Sequence, residues 1–246
     1  MTELQTEERA SIAPILRAHG LTRVFGEGAT RVEACAGVDV EVRPGELLVI
    51  RGRSGSGKTT LLNMLAAVDR PTSGSVWLGD AELSAASEDE LVRIRRDRIG
   101  FVFQGFGLIP VLSAAENVEL PLRLLGVPAA EREERVARAL EDVDLTQHAA
   151  QRPPEMSGGQ QQRVGIARAI ISEPEVLFAD EPTGQLDSIT AGAIMELLVT
   201  LVHDRGTAAV VTTHDPVLVA RADRVLELHD GHVVSEVSGV GVRSAG

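Results

Sequence analysis

Eight consecutive residues, Gly52-Arg53-Ser54-Gly55-Ser56-Gly57-Lys58-Thr59, satisfy every fixed position of the phosphate-loop pattern. Glycines at this spacing let successive backbone N–H groups turn inward on an anion, and a following helix adds its positive end. Lys58 is placed to reach the β- and γ-phosphates of a nucleotide and the Thr59 hydroxyl to ligate Mg²⁺, with Thr60 continuing the turn. Lysine occurs nowhere else: 23 of the 24 basic residues are arginine. A compact ammonium on a flexible stem suits this position, and a planar guanidinium does not fit the same geometry. Further on, Val176-Leu177-Phe178-Ala179-Asp180-Glu181 is an apolar run that ends in two acids. Asp180 can hold the Mg²⁺ shell, and Glu181 can polarise an attacking water as general base. An acidic pair after a strand is by itself an ordinary solvated turn; together with the loop it reads as a nucleotide-hydrolysing site.

A second anion cradle is written at Ser157-Gly158-Gly159-Gln160. Ser157 reads as an N-cap, and the two glycines expose N–H groups at a helix start. Two cradles in one chain suggest a shared nucleotide. Three His-Asp pairs occur, at His203-Asp204, His214-Asp215 and His229-Asp230. Only the second closes a buried strand, so the other two read as surface polar residues rather than metal ligands.

Elements that position these groups follow from hydrophobic periodicity. Val38, Val40 and Val42 alternate with charges as a half-buried strand, and Pro44-Gly45 turns it into the apolar strand Leu47–Arg51. The spacing predicts a helix from Lys58 to about Asp69, a turn at Pro71 to Gly74 and a strand over Ser75–Leu78. Ser87 with Glu90 has capping-box spacing and opens a helix through Arg98. A second charged helix covers 129–143, with Val136, Leu140 and Val143 on one stripe. After Pro153-Pro154 a helical run reaches about Ile171, followed by a strand at Val176–Ala179, a helix over Ile189–Asp204 and a strand over Ala208–Thr213. Arg224–Leu228 and His232–Glu236 flank Asp230-Gly231 as a closing hairpin. Strands alternating with helices imply a largely parallel sheet covered on both faces. The stretch 105–170 lacks strands and reads as an inserted helical subdomain. Residues 1–12 form an N-terminal extension, 13–238 the domain and 239–246 a frayed tail.

Composition narrows the partners. The chain has 246 residues, 43% of them hydrophobic, and a formal net charge of −12. That balance argues against a general nucleic-acid binder, and six aromatic residues with no Tyr provide no base-stacking platform. The single cysteine, Cys35, forbids an internal disulfide and reads as a buried small hydrophobe. Glu3, Glu7, Glu8 and Arg9 do not compose a signal peptide. The longest uncharged run, Ile99 to Ala115, is broken by glycines, Pro110 and Gln104, and reads as a buried strand followed by a contact loop.

Taken together, these residues resemble the ATP-binding cassette (ABC) ATPase family over nearly the whole chain. Ser157-Gly158-Gly159-Gln160 followed by Gln161-Gln162-Arg163 is similar to that family's signature sequence, with Met156 where Leu is commoner. The resemblance implies a P-loop NTPase fold: a RecA-like parallel core, an antiparallel β-subdomain and an inserted helical subdomain. It implies ATP and Mg²⁺ as ligands, with Gln104 beside the metal and water, Asp187 as the D-loop aspartate, His214 as the switch histidine at the γ-phosphate and Phe25 stacking on adenine. The alternative for Phe25 is a core residue at a strand end. Ser157 is then offered to the ATP of a partner, so the implied unit is a homodimer or pseudo-homodimer of ATPase subunits. It would work on a separate integral-membrane permease, at the cytoplasmic face of the inner membrane.

Gly100-Phe101-Val102-Phe103-Gln104, Leu108-Ile109-Pro110 and Glu116-Asn117-Val118-Glu119-Leu120-Pro121-Leu122 resemble the branch serving lipoprotein release, macrolide-type export and the cell-division permease. An amino-acid-type importer subunit is the main alternative, and a non-transport ABC ATPase the other. Gln185 stands where Asn is commoner and Arg53 where many relatives have Pro; neither removes a catalytic group.

Overall fold

The computed structural model describes residues 12–238; the extension and tail expected at the two ends lie outside these, apart from Ile12. In chain order the first elements are β1 (Leu16–Phe25), β2 (Val32–Val42), β3 (Leu47–Arg51), α1 (Lys58–Leu65), β4 (Ser73–Leu78), β5 (Ala81–Glu82), α2 (Glu88–Arg98) and β6 (Ile99–Val102). Helices α3 (Ala114–Leu124), α4 (Ala129–Asp142) and α5 (Gly158–Ile170) follow with no strand between them. The chain then runs through β7 (Val176–Asp180), α6 (Ser188–Arg205), β8 (Ala208–Thr212), α7 (Pro216–Arg221), β9 (Arg224–His229) and β10 (His232–Ser238).

Six strands form one sheet in the order β10-β9-β3-β8-β7-β6, parallel throughout except for the β9–β10 hairpin. A second, antiparallel sheet has the order β2-β1-β4-β5. Side chains on successive strand residues point to opposite faces, and the large sheet divides its apolar residues accordingly. Leu47, Val49, Leu177, Ala179, Ala209 and Val211 join the core shared with α3, α4, α5 and α6. Leu48, Ile50, Val176, Phe178, Ala208 and Val210 join the core shared with α1 and the antiparallel sheet. The expected parallel sheet covered on both faces, with a helical segment after β6, is the architecture present.

Three helices open on the capping boxes Ser87–Glu90, Ser113–Glu116 and Ser157–Gln160, each cap contributing about 1 kcal/mol. Several boundaries differ from expectation by one or more residues, two of them near the phosphate loop's helix. Helix α1 ends at Leu65 rather than near Asp69, because Ala67 adopts a left-handed φ of 53° and the Asn63 carbonyl accepts from both Val68 N and Asp69 N. Strand β4 starts at Ser73, so part of the expected turn is paired to β1. Helix α3 is held by the fully buried Asn117, whose amide donates to the carbonyls of Ile109, Leu112 and Ser113 and whose Oδ1 accepts from Ile109 N. That side chain closes the contact loop after β6, where an unpaired backbone would be costly.

Candidate functional site

The phosphate loop lies between β3 and α1. Its carbonyls are engaged by donors from within the loop and from the elements beside it. Lys58 Nζ donates to Gly52 O at 2.9 Å and Arg53 O at 3.2 Å, Gly231 N to Ser56 O at 3.0 Å, and Leu61 N to Gly57 O at 2.8 Å. Close approach explains two of the glycines. A Cβ on Gly57, where φ is 101°, would sit 2.1 Å from Ala34 O, and one on Gly52 would sit 2.3 Å from Leu228 O. Cys35 is fully buried beside the loop, its thiol 3.7 Å from Gly57 O, and burial pushes its pKa up to about 12. It is the inert hydrophobe expected.

Opposite the loop, β7 delivers its two acids. Asp180 Oδ1 accepts from Thr59 Oγ1 at 3.1 Å and from Thr212 Oγ1 at 2.5 Å. Because Thr59 donates its hydrogen to Asp180, its lone pairs are free to face a cation. The Thr59 hydroxyl and the Asp180 carboxylate are oxygen donors of the kind that fits Mg²⁺, and Gln104 lines the same cleft as Thr59. Glu181 has a left-handed φ of 41°, a strained backbone that turns its side chain out of the strand. Its amide is fixed by Thr212 O and Oγ1, both at 3.0 Å. Its carboxylate lies 3.6 Å from Lys58 Nζ through Oε1 and 3.0 Å from His214 Nδ1 through Oε2.

Lys58, Glu181 and His214 therefore line one cleft of about 710 Å³, together with Thr59, Thr60, Gln104, Gly184 and the loop residues Gly52 to Gly55 and Gly57. Ser56 is buried under the loop and does not line the cleft. Phe25 is 42% exposed at the end of β1, so it is not a core residue, and the Arg23 guanidinium lies 4.5 Å from its ring centroid. Bidentate bonds to Asp69 hold that guanidinium in place. One ring face is thus covered by the guanidinium.

Two groups of expected site residues lie elsewhere. Asp187 caps α6, accepting from Ile189 N, Thr190 N and Thr190 Oγ1, and the Thr190 hydroxyl bond holds its carboxyl below the ordinary range. Ser157, Gly158, Gly159 and Gln160 open α5 and do not line the cleft. Of the remaining His-Asp pairs, His229 lies 3.6 Å from Asp230. His203 bonds not to Asp204 but to Asp223, at 3.2 Å, and Asp223 also accepts from Leu47 N. Spacing along the chain could not show that partner. Among the described residues no His, Cys, Asp or Glu cluster could hold a metal on its own.

Sequence reasoning missed two residues. Thr212 orients both acids, and its only signal was a hydroxyl at the end of an apolar strand. Arg168, from α5, donates to Phe106 O at 3.2 Å and Gly107 O at 2.6 Å, tying the helix of the second cradle to the loop after Gln104. Burial lowers its pKa from the usual arginine value.

A phosphate loop facing an Asp-Glu strand end across a parallel sheet defines a P-loop nucleoside-triphosphatase. The chain belongs to the ABC transporter family, whose model matches residues 35–184. The macrolide export ATP-binding/permease protein MacB of Brucella melitensis is 43% identical over 92% of this chain and 35% of its own length. The pyoverdine export ATP-binding/permease protein PvdT of Pseudomonas syringae pv. tomato is 44% identical over 92% of this chain and 34% of its own. The chain thus spans about a third of these relatives. A dimeric post-hydrolysis structure of the ATP-binding cassette MJ0796 with ADP and Pi superposes with a TM-score of 0.84 at 40% identity, covering 91% of this chain and 98% of that one. This chain is an ABC-type ATPase cassette.

If a nucleotide base stacks on Phe25, the contact would be worth about 1–3 kcal/mol, and a phenyl ring has no donor or acceptor to separate adenine from guanine. GTP is expected to be hydrolysed within about tenfold of ATP, and Phe25→Ala to raise KM for both nucleotides together by about tenfold. Steady-state phosphate release with each nucleotide checks this; a strong ATP preference that survives Phe25→Ala would show that another group reads the base.

Proposed function

We propose that this chain is the Mg²⁺-dependent, ATP-hydrolysing subunit of a transporter of the macrolide-export or lipoprotein-release type, paired with a second ATPase subunit and docked on a separate membrane permease. In this reading the loop amides and Lys58 bind the phosphates, and Thr59, Asp180 and Gln104 hold Mg²⁺. A Mg²⁺ ion held by these residues would supply positive charge against the phosphates. Glu181 takes the proton of the attacking water through the carboxylate whose other oxygen is bonded to His214. His214 orients that carboxylate and meets the γ-phosphate.

The observation that carries the reading is the position of Ser157–Gln160. First-turn N–H groups of a helix have no partner within it, and this cradle, exposed at Ser157 and half-buried at Gly158 to Gln160, stands outside the cleft of its own chain. A second copy arranged head to tail would bring it to the other chain's nucleotide, with Asp187 at the same seam. The relative MJ0796 is dimeric in its nucleotide-bound structure. Permease docking is supported by the exposed side chains of Phe103, Ile109, Val111 and Leu124 around the Gln104 loop and α3, and by the permease portion in the names of the longer relatives. Among the described residues no helix is long and apolar enough to cross a membrane. Docked on its permease, this subunit would work at the cytoplasmic face.

Mixing two inactive variants tests the shared site. Ser157→Arg and Lys58→Ala homodimers each carry two damaged sites, whereas the mixed dimer has one intact site and one doubly damaged site. Turnover above the sum of the separate variants is the expected result. A mixture no more active than that sum would reject the composite site.

A further inference from the structure

The cap of α5 does not end at Ser157 and Gln160. Ser157 N donates to Gln160 Oε1 at 2.9 Å, which fixes the orientation of the Gln160 amide, so its Nε2 can only be a donor. That Nε2 lies 3.2 Å from His148 Nε2, and His148 Nδ1 lies 3.0 Å from Gln151 Oε1. A hydrogen on His148 Nε2 would face the hydrogens of the Gln160 amide. The ring must therefore accept at Nε2 and carry its proton on Nδ1, which it donates to Gln151. The Gln151 backbone is itself anchored, its N donating to His148 O at 3.0 Å and its main-chain carbonyl accepting from Ala114 N at 2.7 Å. The chain of bonds thus runs from the start of α3 to the N-terminus of α5.

We propose that His148 is a positioning residue for the second anion cradle, its neutral Nδ1–H tautomer holding Gln160 in the orientation that caps the Ser157 turn. The inference rests on the reading that this turn serves a partner's ATP. Without the imidazole acceptor the Gln160 amide keeps only its bond from Ser157 N, so its orientation rests on one contact instead of two.

Two measurements on the full chain test it. Ring ¹⁵N–¹H correlation spectra of ¹⁵N-histidine-labelled protein, with the His148 signal assigned by its loss in His148→Gln, should show the Nδ1–H tautomer for the neutral ring. The Nε2–H tautomer, favoured by free histidine, overturns the proposal. Kinetically, His148→Leu should lower kcat by about fivefold with KM for ATP changed less than about twofold, the scale of one lost hydrogen bond acting after nucleotide binding. His148→Gln, which offers a carbonyl where Nε2 accepts, should restore kcat to near wild type. Wild-type kcat in His148→Leu overturns the proposal, as does an equal loss in both variants. Ser157→Ala separates this failure from that of the reading beneath it. If Ser157→Ala is itself fully active, the partner-site reading falls; if it is inactive while His148→Leu is wild type, only the inference on His148 falls.

Discussion

Replacing Glu181 by Gln is expected to lower ATP turnover by about 10²-fold or more, the scale of a lost general base, while nucleotide binding persists. Glutamine keeps the size of the side chain and a hydrogen-bonding group toward His214 Nδ1, now 3.0 Å from Oε2. It cannot take a proton from water. The strained backbone at Glu181 and the paired bonds from its amide to Thr212 are unaffected by the change, so the loop should keep its shape. Phosphate release measures the turnover and equilibrium titration with a fluorescent ATP analogue the binding. Near-normal turnover would reject Glu181 as the base.

Lys58→Ala should abolish turnover and weaken binding, and Lys58→Arg should be nearly as damaging, with losses of about 10²-fold or more for a missing phosphate-stabilising donor. The Lys58 side chain is 9% exposed, with its ammonium between the carbonyls of Gly52 and Arg53 and 3.6 Å from Glu181. A planar guanidinium is longer and donates in a fork, so it cannot occupy a space shaped around a point charge without moving the loop. An Arg variant with wild-type kinetics would refute the argument drawn from the chain's single lysine.

What the sequence revealed and what it hid divide along the range of the interactions. The phosphate loop, the β7 acids and the Ser157–Gln160 box are local patterns, each complete within about ten residues, and each is built as its pattern implies. Strand β1 was not legible because Gly20, at φ 58°, breaks its alternation with register shifts on both paired edges. Helix α3 was hidden by Pro121 within it and by Asn117, a polar residue whose burial is explained only by four bonds to a preceding loop and its own helix start. Short α7 depends on Asp215, whose carboxylate caps Val217 N. The roles of Thr212, Arg168 and His148 all come from partners distant in sequence or reached through a second side chain. Asp187, placed by resemblance as the D-loop aspartate, also caps its own helix, a local role that its position before Ile189 and Thr190 did not announce.

The central claim is that ATP is held between two copies of this chain. Light scattering of Glu181→Gln after size exclusion tests it most directly, because this variant should bind ATP without consuming it. The account predicts the mass of two chains with ATP and Mg²⁺, and of one chain with ADP or when Lys58→Ala is given ATP. A single-chain mass for Glu181→Gln at saturating ATP and at concentrations well above those of the activity assay would contradict it.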